Sequence, residues 1–407
     1  MKCRSALYAS VALLVTMSGT QTPISSTAAR QPSQPPHVQI RVSADAETVF
    51  RYQTDACEAE DIPDAPTRAF RDSTGTVNLL STNSRNRRLR GPNLLALHQD
   101  CTVVFEGSGD PRPEHFDDRL WVASTWSADG VVVHALIHSE YQGQRHPGAC
   151  PSGRYEDCWY NTITQAVSRD GGRSFQFERR PPPIVAAVPY PYDRNARRHI
   201  GFFNPTNIVR QADAWFVMVF TEGVGSQPRG NCLLRTERVD DPSAWRAWDG
   251  AKFAVRFADP YRTPPPQAHS CQPVGLGALN WPVTSLVRHA PSGAFVALMI
   301  GVEAPSAPGQ AERAMIAASA SWDLVHWSSP SVVREVATPS RFTCGNDVAP
   351  VAYPSVLDPN SQDRNFEDVG ATAMLFLTRF NLRHDGSRCS LGLDRDLIRM
   401  PVAIQVQ

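Results

Sequence analysis

Lysine is almost missing from this chain: Lys2 and Lys252 are the only two, and arginine supplies the rest of 40 basic side chains, set against 40 acidic ones. With zero net charge and no basic patch interleaved with aromatics, the chain lacks the electrostatic footprint of a nucleic-acid binder. Long apolar runs are missing too. The longest, ALYASVALLVTM near the N-terminus, falls short of the about 20 residues that cross a bilayer. It follows Lys2 and Arg4 and leads to small residues at 25–29, the layout of a secretory signal peptide, assigned to residues 1–28. No membrane insertion is expected once it is removed. Residues 29–48, with QPSQPP, read as a flexible leader or as a closing strand, which leaves 49–407 for the folded domain. There is no Cys-x-x-Cys to suggest a zinc cluster and no Gly-x-Ser-x-Gly to suggest a serine hydrolase. Helical periodicity is weak, and 34 prolines make long helices a poor reading.

What the chain does have is an even set of cysteines after Cys3: Cys57, Cys101, Cys150, Cys158, Cys232, Cys271, Cys344 and Cys389. In a chain with a signal peptide this argues for disulfides, and for a secreted or periplasmic location. Pairing of sequence neighbours is the simplest arrangement, with Cys150 to Cys158 the shortest loop.

A pattern of short apolar strands also repeats. One copy reads FFNPTNIVRQADAWFVMVFTEG followed by NCLLRTERVDDPSAWRAWDG, and another reads LNWPVTSLVRHAPSGAFVALMIGVE followed by AMIAASASWDLVHWSSPSVV. Five such copies, each of three or four strands, imply an all-β fold: a five-bladed β-propeller, whose blades are four-stranded sheets around a channel. A β-sandwich is the alternative. Residues HVQIRVSADAETVF could supply the outer strand that closes the last blade and covers its edge.

SRDGGRSF fits S-x-D-x-G-x-[ST]-[WF] through Ser168, Asp170, Gly172, Ser174 and Phe175, and so is similar to the sialidase-type Asp box. In that family the motif is a turn between outer strands of a blade, which makes Asp170 a turn residue rather than an acid. The physics agrees: aspartate accepts local N–H bonds and glycine tolerates positive φ. SWDLVHW at Ser321, Asp323 and Trp327 is a degenerate counterpart. The repeat as a whole resembles the superfamily of five-bladed glycosidases that includes arabinanases, β-xylosidases, invertases and levansucrases. That resemblance implies a base aspartate opening the first blade, here Asp64, a glutamate acid, and an aspartate before proline in a middle blade. The last position departs from the pattern, being Asn204-Pro205. A sialidase arginine triad is not evident, although Arg68, Arg288 and Arg379 are available.

Within a blade the start of the first strand and the end of the antiparallel second strand lie at one rim. This groups Asp64 and Arg68 with Asn83, Asp118 and Arg119 with Glu140, Asn204 with Glu222, Asn280 and Trp281 with Glu303, and Tyr353 with Arg379. Glycoside hydrolysis needs two carboxylates with separated pKa values. Asp64 is the expected base and Glu222 the expected acid, with Glu140 as substitute. Arg68, Asn204, Trp281, Glu303, Tyr353 and Arg379 are the expected substrate contacts, Trp281 by stacking and an arginine by binding any acidic group. His134, His138 and Glu140 make only a weak metal candidate, lacking further ligands. The tryptophans at 121, 126, 245 and 327 read as packing residues.

The sequence thus points to an exported, monomeric glycoside hydrolase acting on poly- or oligosaccharide, without cofactor. A structural calcium in the channel, a non-catalytic glycan-binding propeller and a polysaccharide lyase all stay open, since one fold hosts many functions.

Overall fold

The computed structural model describes residues 34–262, 269–304, 312–344, 348–386 and 388–407; the expected signal peptide at 1–28 lies outside the described residues. The chain forms a five-bladed β-propeller. Blade one is the meander Arg68–Arg71, Val77–Leu80, Arg85–Asn93 and Ala96–Glu106. Blade two runs Arg119–Trp126, Val133–Gln142, Trp159–Ser168 and Ile184–Ala186. The inner strand of blade three is broken into Ile200–Phe203 and Val209–Gln211, followed by Ala214–Thr221, Gly230–Thr236 and Arg246–Trp248. Blade four is Val283–His289, Phe295–Glu303, Arg313–Ser321 and Ser331–Glu335. In blade five, Val351–Leu357, Thr372–Phe380 and Arg395–Val406 are completed by Val38–Val42 from the other end of the chain, with Val38 opposite Val406. The outer edge of the last sheet is therefore covered by residues from the stretch read as leader or closing strand.

The core is five apolar layers, one between each pair of neighbouring blades. Strand Ala214–Thr221 shows how the sequence builds them. Val217 and Val219 pack toward blade two with Leu136 and Ile163, whereas Phe216 and Met218 pack toward blade four with Leu286 and Phe295. Successive side chains point to opposite faces of a strand, and both faces of a blade are covered. This is why the strand reads as an unbroken apolar run rather than an alternating one. The ring closes through Leu357, Phe376 and Leu397 of blade five against Ala69 and Leu79 of blade one.

Four disulfides join sequence neighbours, as the simplest pairing had it: Cys57–Cys101, Cys150–Cys158, Cys232–Cys271 and Cys344–Cys389, with Cα separations of 5.6, 5.7, 6.0 and 5.4 Å. No helix among the described residues is long and apolar enough to cross a membrane.

SRDGGRSF is a turn beyond the third strand of blade two. Asp170 Oδ1 accepts from the amides of Arg173 and Ser174, both at 3.0 Å, and Oδ2 accepts from Ser174 Oγ at 2.7 Å. Phe175 is buried between blades one and two, and Gly172 adopts φ +79° with its Cα facing the Phe70 ring, where a Cβ would lie 2.4 Å away. Asp170→Ala is expected to cost about 1 kcal/mol, because the turn is largely exposed and its bonds exchange with water. Urea denaturation measures this, with substrate turnover unchanged.

At the rim opposite the second-strand ends, the blade-five loop at 358–370 ties the ring together. Arg71 of blade one donates to its carbonyls at Asp363 and Ser361, both at 2.7 Å, and Asn365 exchanges hydrogen bonds with Ser127 of blade two. The Arg210 amide of blade three donates to Glu367 Oε2 at 2.5 Å, and Arg288 of blade four pairs with Asp368 at 2.6 Å. Burial and then the Asp363 charge push the Glu367 carboxyl up to about 7. A raised folded pKa means that the native state holds the proton more tightly than the unfolded chain. Stability from this group is therefore full below the ordinary glutamate range and declines as pH rises to about 7. Glu367→Gln should flatten that part of a plot of Tm against pH.

Candidate active site

The rim where second strands end holds a funnel of about 580 Å³ lined by Asp64, Asn83, Glu140, Asn204, Glu222 and Tyr353 together with a set of aromatic side chains. Counting Arg119, which also lines it, the rim rule thus brings together seven residues from blades one, two, three and five. Asp64 sits in Ile62-Pro63-Asp64-Ala65-Pro66, where the prolines keep the chain extended ahead of the first strand. Its Oδ1 pairs with Arg395 and accepts from Tyr353 Oη at 3.3 Å. Burial pushes the Asp64 carboxyl above the ordinary aspartate range, the Arg395 charge opposes this, and the charge of Glu140 adds to the push.

Glu140 is almost fully buried, at 4% exposure. Alternation along Val133–Gln142 puts His138, Glu140 and Gln142 on one face. Two donors converge on Glu140 Oε1, Gln142 Nε2 at 2.5 Å and Tyr155 Oη at 2.8 Å, while His138 Nε2 lies 3.4 Å from Oε2. His138 Nδ1 lies 3.0 Å from Asn204 Oδ1, which can only accept, and 3.3 Å from the Asn204 backbone amide. Asn204 and Tyr353 both precede proline and both adopt left-handed backbone, with φ of 35° and 57°. Such strain in non-glycine residues collects at functional sites, and here it aims both side chains into the funnel.

The aromatic wall escaped sequence reasoning. Tyr155 stacks on Trp159 with centroids 4.6 Å apart, and Trp159 stacks on His199 at 3.5 Å. Burial, then the His138 charge, holds His199 down to about 2, so its ring is a neutral plate. Burial and the negative Glu140 push the Tyr155 hydroxyl up, keeping it a proton donor to that carboxylate. The loop carrying Tyr155 is tied at both ends by Cys150–Cys158, and that short cysteine spacing was the one available signal. Arg119 and Arg395 also line the funnel, but neither is free: Arg119 contacts Ser84 Oγ at 2.5 Å and Glu60 at 3.4 Å, while Arg395 holds Asp64.

Four expected contacts lie elsewhere. Arg68 is 2% exposed and points into the channel, donating to the carbonyls of Thr67, Ala123, Pro205 and Thr284. Trp281 lies flat over Gly301, where any Cβ would meet its ring at 2.2 Å, and packs into the layer between blades three and four. Glu303 is exposed at the end of its strand, opposite Arg313. Arg379 pairs at 2.6 Å with the buried Asp396. Glu222 does line the funnel, but it is half-exposed and bound to Arg229 at 2.8 Å. His134 sits toward the far rim beside Trp126, and no group of three or more potential metal ligands occurs among the described residues.

No protein-family model and no curated protein matches this sequence. Among solved structures, the chain is similar to an α-L-arabinanase from Cellvibrio cellulosa, with 12% identity, a TM-score of 0.43, and coverage of 82% of this chain and 95% of that one. A glycosyl hydrolase from Bacteroides ovatus gives 10% identity and a TM-score of 0.44, over 87% of this chain and 93% of that one. An α-L-arabinofuranosidase from Fusarium graminearum gives 9% identity and a TM-score of 0.41, over 88% and 98%. At such distances no residue's role passes from those enzymes to this chain, and the site stands on its own geometry.

Proposed function

We propose that the protein is an exported glycoside hydrolase that cleaves a poly- or oligosaccharide in the funnel, with Asp64 and Glu140 as its carboxylate pair. The observation that carries this reading is two carboxyl groups, Asp64 and Glu140, lining one funnel, with the Glu140 charge adding to the burial that raises Asp64. Two carboxylates with separated pKa values are the equipment of glycoside hydrolysis.

The environments assign the roles. Asp64, raised by burial against the opposing Arg395 charge, with the Glu140 charge adding to the rise, is assigned as the general acid toward the leaving oxygen. Glu140, which accepts from Gln142 and Tyr155, acts as nucleophile or as base toward water. This pairing replaces the expected one of Asp64 as base with Glu222 as acid, since Glu222 is half-exposed whereas Glu140 is 4% exposed. Asn204 and Tyr353 bond sugar hydroxyls, and the Tyr155–Trp159–His199 wall offers apolar faces to a ring.

The test is a panel of polysaccharides incubated with the protein. Reducing ends without absorbance from unsaturated products support hydrolysis. Unsaturated products would instead indicate a lyase, and retention of glycan without cleavage a binding propeller.

A further inference from the structure

On the outer edge of blades two and three, away from the funnel, lies a second cavity of about 460 Å³. Its floor is apolar, formed by Pro182, Pro183, Val185 and Phe257 with the buried Trp245, whose indole N–H has no acceptor among the described residues. Its walls carry Arg179, Arg180, Arg256 and Arg262 against a single carboxylate, Asp259. Two of these guanidinium groups are already matched: Arg180 pairs with Asp117 and Arg262 with Asp259 at 3.2 Å. Arg179 and Arg256 are exposed, and neither forms an ion pair among the described residues. Asp241 feels the Arg256 charge, but its oxygens serve Ser243 and Arg238. This is a concave site with two exposed arginines that form no ion pair among the described residues, above an apolar floor.

We infer that this cavity binds an anionic saccharide, a sugar unit bearing carboxylate or sulfate, and so anchors the protein on a charged polymer at a distance from the funnel. Planar guanidinium groups match the geometry of such anions, while proline and aromatic surfaces accept the apolar face of a sugar ring. Among the described residues the funnel has no free arginine for an acidic sugar, because Arg119 and Arg395 are committed and Arg68 and Arg379 lie outside it. A charged unit would therefore be recognised at the edge while the funnel takes its neighbours. The choice of a saccharide over another anion rests on the proposed hydrolase; the cationic cavity does not.

Affinity electrophoresis of the full chain in gels containing polygalacturonate, a sulfated galactan or neutral dextran tests the inference. The wild type and Asp64→Asn should be retarded alike by at least one acidic polymer, with less retardation at higher salt. Arg179→Gln/Arg256→Gln should bind about tenfold or more weakly, yet keep its Tm and its turnover of a short aryl glycoside. Equal retardation of the double variant, no retardation of the wild type by either acidic polymer, or inorganic sulfate binding as tightly per charge as the polymer would each overturn it. Because binding is read without cleavage, an inactive funnel leaves this result untouched.

Discussion

Asp64→Asn and Glu140→Gln are each expected to lower polysaccharide hydrolysis by about a hundred- to ten-thousand-fold while leaving the Tm near that of the wild type. Both substitutions keep the shape of the side chain and remove the ability to donate or accept the catalytic proton. Glu222→Gln, by contrast, removes a half-exposed carboxylate already bound to Arg229 and should change the rate by less than about tenfold, a surface ion pair being worth little. The pH profile carries the same information. An acid must be protonated to act, so under the proposed assignment a raised Asp64 pKa extends activity to higher pH than an ordinary aspartic acid would allow. The alkaline limb of kcat/KM should therefore fall above the usual carboxylate range and disappear from the residual activity of Asp64→Asn.

The second large effect concerns Arg68. Its guanidinium reaches carbonyls in blades one, two, three and four: Thr67 at 3.0 Å, Ala123 at 3.0 Å, Pro205 at 2.8 Å and Thr284 at 2.9 Å. Burial pulls against the charge and brings its pKa down to about 9, which still leaves it cationic at neutral pH. Four carbonyl dipoles thus solvate a cation at the hub of the ring. Arg68→Met keeps much of the volume but strands these acceptors, each costing about 1–3 kcal/mol when buried without a partner. A loss of roughly 4 kcal/mol or more is expected, a large share of the 5–15 kcal/mol that holds a typical domain. Denaturant unfolding should show Arg68→Lys as intermediate, since an ammonium group has three donors but lacks the planar fork that reaches several blades at once.

Arg68 also shows where reading the sequence stops. Antiparallel pairing within a blade fixes which residues share a rim, and that was enough to bring Asp64, Glu140, Asn204, Glu222 and Tyr353 to one funnel. It does not fix which way a side chain turns at that rim, because a shift of one residue reverses the face. Trp281 turned into the layer between blades and left Pro282 on the funnel wall. Arg379 turned toward Asp396. The blades themselves were legible because their buried strands are apolar on both faces, and the disulfides because each joins neighbouring cysteines. Tyr155, Trp159 and His199 were not legible, as they lie in or beside connections between strands, where no periodicity reports direction. Arg395, the partner of Asp64, is 331 residues away in sequence, brought there only by closure of the ring.

The central claim is that Asp64 donates the proton and Glu140 does not, and the dependence of rate on leaving group tests it most directly. An aryl glycoside with a highly acidic phenol departs without protonation. Asp64→Asn should therefore cleave such a substrate within about tenfold of the wild-type rate while failing on the polymer, and Glu140→Gln should fail on both. If Asp64→Asn loses both substrates equally while Glu140→Gln keeps the activated one, the roles are reversed; if both variants cleave the polymer normally, the funnel carboxylates are not the catalytic pair.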